Sequence, residues 1–143
     1  MIESFEDVYR DIMPLFEHHN AELNDESMPF VLDLDLYISL DRINKLITCV
    51  KREKGVPIAF LVGIVDEHVH HMGHFVLTTD SFHVIKSHRK SGVAAEMFRE
   101  IEEECKKQKI SRWMALTKAK TTAGDFMEKM GFELEELMFM RKI

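Results

Sequence analysis

The sequence predicts an α/β domain of the α+β kind, a central mixed, mostly antiparallel twisted sheet flanked by helices. Three observations carry this. Residues 45–65 read as a hairpin, "KLITCVKRE" and "VPIAFLVGIVD" joined through Lys54-Gly55. Residues 77–108 read as a strand, a short basic loop and a long amphipathic helix. The remainder alternates strand, helix and strand, and a strand reached through a helix is expected to lie parallel to its predecessor. With 143 residues the chain is expected to form a single domain, 1–143, with a sizeable core.

The first helix is expected over 4–19, capped by Ser4, with Glu6 and Asp7 in its first turn and Phe5, Val8, Ile12, Leu15 and Phe16 on its apolar face. Pro14 interrupts that pattern and softens the boundary. Residues 20–29, "NAELNDESMP", read as an acidic surface connection. In 34–43 the spacing of Leu36, Leu40 and Ile43 suits a short helix, although "FVLDLDLYISL" also alternates as a strand would. The almost continuously apolar run 58–65 predicts a central strand. A third strand follows over about 71–85, antiparallel to it, with Thr78, Asp80, Phe82 and Val84 on one face. The helix 92–108 turns Ala94, Met97, Phe98, Ile101 and Cys105 inward. "RWMALT" (112–117) is a short strand, and Thr121 or Thr122 caps a helix that Gly131 ends. "FELEELMFMRK" alternates again and is expected to close the sheet. Trp113, Phe126 and the methionines 127, 130, 138 and 140 read as core.

At 45% hydrophobic and 31% charged the chain is not disordered. A net charge of -6 argues against an extended nucleic-acid-binding face. No apolar run reaches membrane-spanning length, so no membrane partner is expected. Cys49 and Cys105 sit in apolar patterns and fit a reducing compartment, and the acidic "MIESFEDVYR" is not a targeting peptide; a cytoplasmic location is expected.

Against that acidic background the loop 86–90 carries Lys86, His88, Arg89 and Lys90, and Gly92 follows at the start of a helix. Unpaired N–H groups and the macrodipole make a helix N-terminus a sound phosphate site. An ordinary turn with solvated lysines would look the same. His68, His70, His71 and His74 form a second cluster, and alternation would place His68, His70 and His74 on one side of a strand. No Cys, Asp or Glu completes a tetrahedral site, so a polar turn or the lining of a substrate cleft is expected rather than a metal. No G-x-G-x-x-G is present to suggest a dinucleotide.

Two stretches carry a resemblance. "FHVIKSHRKSGVA", containing Arg89-Lys90-Ser91-Gly92-Val93-Ala94, resembles the [Gln/Arg]-x-x-Gly-x-[Gly/Ala] acetyl-CoA motif of the GNAT superfamily of N-acetyltransferases. "AGDFMEKMGFELEE" resembles that family's later Glu-Lys-x-Gly-Phe stretch, in the right order and at the right separation. The likeness covers about 45–143, and more loosely the chain is similar to short acetyltransferase-like proteins of bacteriophages. The resemblance implies a V-shaped split between the strand ending at Ile85 and the strand 112–117. It implies acetyl-CoA as cosubstrate, its pyrophosphate on the amides of Arg89, Lys90, Gly92, Val93 and Ala94, and its pantetheine along His83, Val84 and Ile85. Val84 would polarise the thioester carbonyl, and Lys120 stands where many members place a cofactor-contacting Asn. Met127 stands where many members carry a Tyr acid, and cannot donate a proton.

Asp80 is the candidate base, with a hydrogen-bonded strand carboxylate as the plain alternative; His83 would point to the opposite face, and Glu67 and His74 could reach the cleft. Two function classes follow. One is an enzyme that acetylates a primary amine of a small molecule or protein, for which the acidic surface suits a cationic acceptor. The other is a catalytically silent relative that binds CoA or a host protein. An exposed final strand could pair across a homodimer.

Overall fold

The computed structural model describes residues 1–23, 29–118, 122–136, 138, 139 and 141. Five strands form one sheet in the order β1-β2-β3-β4-β5. β1 (Ile2–Glu3) is a short strand that the sequence does not announce, paired antiparallel to β2 (Leu46–Glu53). β2 and β3 (Val56–Glu67) make the expected hairpin, with positive φ at both Lys54 (52°) and Gly55 (84°) in its tight turn. β4 (Phe75–Val84) is antiparallel to β3, and β5 (Ile110–Ala115) is parallel to β4.

Helix α1 (Phe5–Leu23) buries the five residues its spacing predicts, but it runs past His19 through Pro14. Pro14 and Arg10, whose carbonyl loses its partner there, both lie on the exposed side, where water satisfies the loose group. Residues 20–23 of the expected connection therefore belong to the helix, and 24–28 lie outside the described residues. The Ser4 hydroxyl donates to Asp41 and does not itself cap α1 as expected. Asp41 accepts from both Ser4 Oγ (2.6 Å) and the Glu6 amide (3.1 Å).

Asp41 belongs to α2 (Leu34–Arg42), which Asp33 caps by accepting from the Leu36 amide at 3.0 Å. That settles helix over strand for 34–43. Its expected stripe is corrected, however: Leu36 and Ile43 are exposed, and Tyr37 is the buried residue. The helix docks by its ring, because Tyr37 meets Phe5 at 5.0 Å and Phe16 at 6.3 Å.

The sheet separates two cores. On one face α1 and α2 cover Leu46, Val50, Phe60 and Val62. On the other, α3 (Val93–Lys107) and α4 (Ala123–Lys129) cover Leu61, Leu77 and Val84, with Met97, Phe98, Ile101 and Met127 as the helical contribution. Trp113, Phe126 and Met130 pack there as expected. Cys49 and Cys105 are free and buried, and burial pushes each thiol up to about 11, which leaves both unreactive.

Three expectations are corrected. First, β4 begins at Phe75 and not near His71, because 68–74 folds into a turn closed by the His68 amide on the His74 carbonyl at 2.8 Å. Second, β4 carries a bulge: Ser81 opposes Val62 and Thr79 opposes Gly63, leaving Asp80 as an extra residue. Third, the described residues of 132–141 form no strand. Leu134 (78% exposed), Met138 (76%) and Phe139 (90%) find no sheet to cover, and Met140 lies outside the described residues. Among the described residues β5 is thus an edge of the sheet, and Met138 is not core.

Candidate active site

The site begins where β4 and β5 part. Their pairing runs from Phe75–Ile110 to Thr79–Ala115 and ends there, while β4 continues to Val84. Trp113 Nε1 donates to Thr79 Oγ1 at 2.8 Å and pins the last joined position. Beyond it the outer edge of 80–84 has no strand partner among the described residues.

The bulge decides what faces this gap. Without it, Asp80 and Phe82 would share a face. With it, Phe82 opposes Leu61 and packs toward α3, where its ring meets Phe98 at 5.3 Å. Asp80 stays on the α1/α2 face with Thr78, and its carboxylate accepts from the Tyr37 hydroxyl. Burial first, then the Asp80 hydrogen bond and charge, raise the Tyr37 pKa, so the phenol remains a donor. Tyr37 was missed in the sequence because it lies off the Leu36/Leu40/Ile43 spacing.

The same bulge corrects His83. Its ring lies on the Asp80 face, not the opposite one, near Phe60 (6.5 Å), His19 (5.8 Å) and His18 (6.5 Å). Burial pushes its pKa down to about 4, and burial likewise lowers His19 against the negative charges of Glu22 and Asp80. Both imidazoles are therefore neutral near pH 7. His83 is packed, as expected, but on the α1/α2 side of the sheet.

At the far end of β4 the Ile85 amide donates to Ile58 O on β3 at 3.0 Å. Alternation then turns the Val84 backbone outward, toward the gap. Arg89 Nε donates to Val84 O (2.9 Å) and Arg89 Nη2 to Glu22 Oε1 (2.7 Å), so this guanidinium ties the loop between β4 and α3 to the end of α1. Partial burial works to raise the Glu22 pKa, but the Arg89 hydrogen bond and charge outweigh it and hold the carboxyl below its ordinary value. No sequence signal links residues 67 positions apart. Lys86–His88 form a single 3-10 turn, and Lys90 is exposed beside it.

Gly92 precedes α3 in the left-handed region (φ 87°), with no side chain to cap the helix. The first intrahelical bond runs from the Glu96 amide to Gly92 O at 3.1 Å, and the Val93 amide meets only Ser91 Oγ at 3.4 Å. A Cβ placed at Gly92 would meet nothing within 4 Å. Open amides, open space and an open strand edge therefore meet at one place. This fits a ligand that has phosphates at one end and an amide-bearing chain at the other.

The remaining candidates lie elsewhere. Met127 is buried in the core and offers no proton, and Lys120 lies outside the described residues. Glu67 accepts from the Gly73 amide within the turn. His74 lines a cavity of about 170 Å³ with His68, His71, Val76, Ser111 and Arg112. Among the described residues no group of His, Cys, Asp or Glu is placed to hold a metal ion, and no helix is long and apolar enough to cross a membrane.

A strand edge left unpaired past a bulge and leading into an uncapped helix, on a mostly antiparallel sheet with helices on both faces, defines the class of fold. The chain belongs to the acetyltransferase (GNAT) family, whose profile matches residues 5–132. No curated protein sequence matches it significantly. Among solved structures it is similar to the ribosomal-protein-alanine N-acetyltransferase of Brucella melitensis biovar Abortus 2308, at 13% identity and TM-score 0.73, covering 100% of this chain and 98% of that one. An aminoglycoside acetyltransferase from an uncultured soil metagenomic sample is 16% identical with TM-score 0.80, over 100% and 96% of the two chains. AAC(6')-Iy, solved with the bisubstrate analog CoA-S-monomethyl-acetylneamine, is 18% identical with TM-score 0.65, over 92% of each chain.

Proposed function

We propose that the chain transfers an acetyl group from acetyl-CoA to a primary amine by direct attack in a ternary complex. The observation that carries this is the continuous path from Asp80, along the unpaired edge of β4, to the uncapped start of α3. Amides of Lys90, Gly92, Val93 and Ala94 would hold the pyrophosphate, with Lys90 adding side-chain charge, whereas the Arg89 amide expected to join them donates to Lys86 O at 3.4 Å. Pantetheine would lie along the edge at His83–Ile85, one of its N–H groups donating to the second lone pair of Val84 O beside Arg89, and the family pattern adds Lys120. Acetyl-CoA supplies an activated acyl carbon. Asp80, oriented by Tyr37, takes the proton the amine must lose as its nitrogen bonds to that carbon. The Val84 amide donates to the carbonyl oxygen as negative charge develops there. With Met127 in place of an acid, the departing sulfur leaves as a thiolate and takes its proton from solvent. The net charge of -6 and the Asp80 carboxylate favour a cationic acceptor.

Met127 also favours a second reading, in which the chain binds CoA or a partner protein without turnover. A thiol-release assay with acetyl-CoA and a panel of primary amines separates the two. Enzyme-dependent thiol release matched by acetylated amine in the mass spectrum is the expected result. Cofactor binding without thiol release across the panel would assign the chain to the second reading.

A further inference from the structure

We propose that the acceptor is an amine carrying an oxyanion about 13 Å from its nitrogen, with the oxyanion held in the cavity formed by the β3–β4 turn and Arg112. The inference rests on the acceptor reading of Asp80 given above.

The geometry follows from strand alternation. Leu77 and Trp113 pack into the α3 core. Val76 and Thr78 on β4, and their partners Arg112 and Met114 on β5, therefore face the other side of the sheet, the side of Asp80. Met114 is 48% exposed, so the floor between the two ends is open. From Val76, which lines the cavity, to Asp80 is four residues of strand, about 13 Å at roughly 3.3 Å each.

The two ends of this floor have opposite chemistry. At one stands the exposed carboxylate of Asp80. At the other, the cavity is lined by His68, His71, His74, Val76, Ser111 and Arg112, with no carboxylate among them, and the Ser111 hydroxyl is already engaged, donating to Phe75 O at 3.0 Å. The acids of the hairpin are engaged elsewhere: Asp66 pairs with Lys45 at 2.8 Å, and Glu67 accepts from Gly73. Arg112 has no acidic partner among the described residues. The rings of His68 and His71 lie 4.6 Å apart and those of His71 and His74 6.4 Å, close enough to converge on one small anion. Partial desolvation first, then the neighbouring His71 ring and the Arg112 guanidinium, hold the His68 pKa below its ordinary value, an effect an oxyanion would offset. The Arg112 guanidinium, which only donates, together with the imidazole N–H groups suits carboxylate or phosphate.

An extended peptide advances about 3.3–3.6 Å per residue, so tetraglycine spans the interval from amine to carboxylate. The test titrates the CoA-loaded chain with tetraglycine, tetraglycine amide and the amide of Gly-Gly-phosphoserine, following the imidazole proton resonances of His68, His71 and His74. The free acid or the phosphopeptide is expected to shift these signals at a concentration at least tenfold lower than tetraglycine amide does. Whichever responds identifies carboxylate or phosphate as the source. Arg112→Gln, a change at an exposed position, is expected to erase that preference. Equal response to acid and amide, no response to any probe, or a preference unchanged in Arg112→Gln would overturn the proposal. Cofactor binding is read separately, as the rise in thermal midpoint when acetyl-CoA is added, so its failure is not mistaken for this one.

Discussion

Asp80→Asn is expected to lower acetyl transfer by about 10²–10⁴-fold, the usual contribution of a general base. The substitution keeps the shape and the bond from Tyr37, since an amide oxygen still accepts from the phenol. What it removes is the ability to take a proton. Asp80 is exposed and lies in the bulge, so neither core packing nor the phosphate loop should change, and acetyl-CoA binding should stay at the wild-type level. Tyr37→Phe separates orientation from chemistry in the same assay, with a smaller loss of rate. An Asp80→Asn rate equal to wild type would reduce this carboxylate to a hydrogen-bonded strand residue.

Phe98→Ala is expected to cost about 3–5 kcal/mol of stability, the range for a buried Phe truncated in a core. The ring is 1% exposed and meets Trp113 at 4.9 Å, Phe126 at 5.1 Å, Phe82 at 5.3 Å and Phe132 at 5.9 Å. It is the point where α3 joins β4, β5, α4 and the segment after α4. A void there cannot collapse without moving several rings at once, which places the cost high in the range. Urea unfolding checks this: the midpoint should fall sharply with little change in slope. A loss below about 1 kcal/mol would mean that the neighbouring rings close the void.

Much of this was legible in the sequence, and the failures have physical causes. The strand, basic loop, glycine and helix of 77–108 were legible because turn chemistry and helical spacing are local. The hairpin at Lys54-Gly55 was legible for the same reason. The bulge was not, because Thr78, Asp80, Phe82 and Val84 alternate without a break. One extra residue in pairing, not in pattern, moves Phe82 and Val84 to the other face. Tyr37 and the Glu22–Arg89 pair were hidden because each becomes a partner only through tertiary docking of α1 and α2. The alternation of 132–142 promised a strand, but its described residues form none, because a pattern fixes a face only where a neighbouring strand receives it.

The central claim is that the start of α3 and the free edge of β4 hold acetyl-CoA. The most direct measurement is the thermal midpoint with and without acetyl-CoA, on the wild-type chain and on Gly92→Glu. At about a hundred times Kd, binding adds roughly 2.7 kcal/mol, a rise of roughly 5–10 °C for a domain of this size. Gly92→Glu puts a side chain at φ 87°, into the open space before the α3 amides, and sets a negative charge where phosphate would sit. The expected result is a clear rise in wild type and none in Gly92→Glu. No rise in wild type at millimolar acetyl-CoA, or an equal rise in both, would contradict the claim.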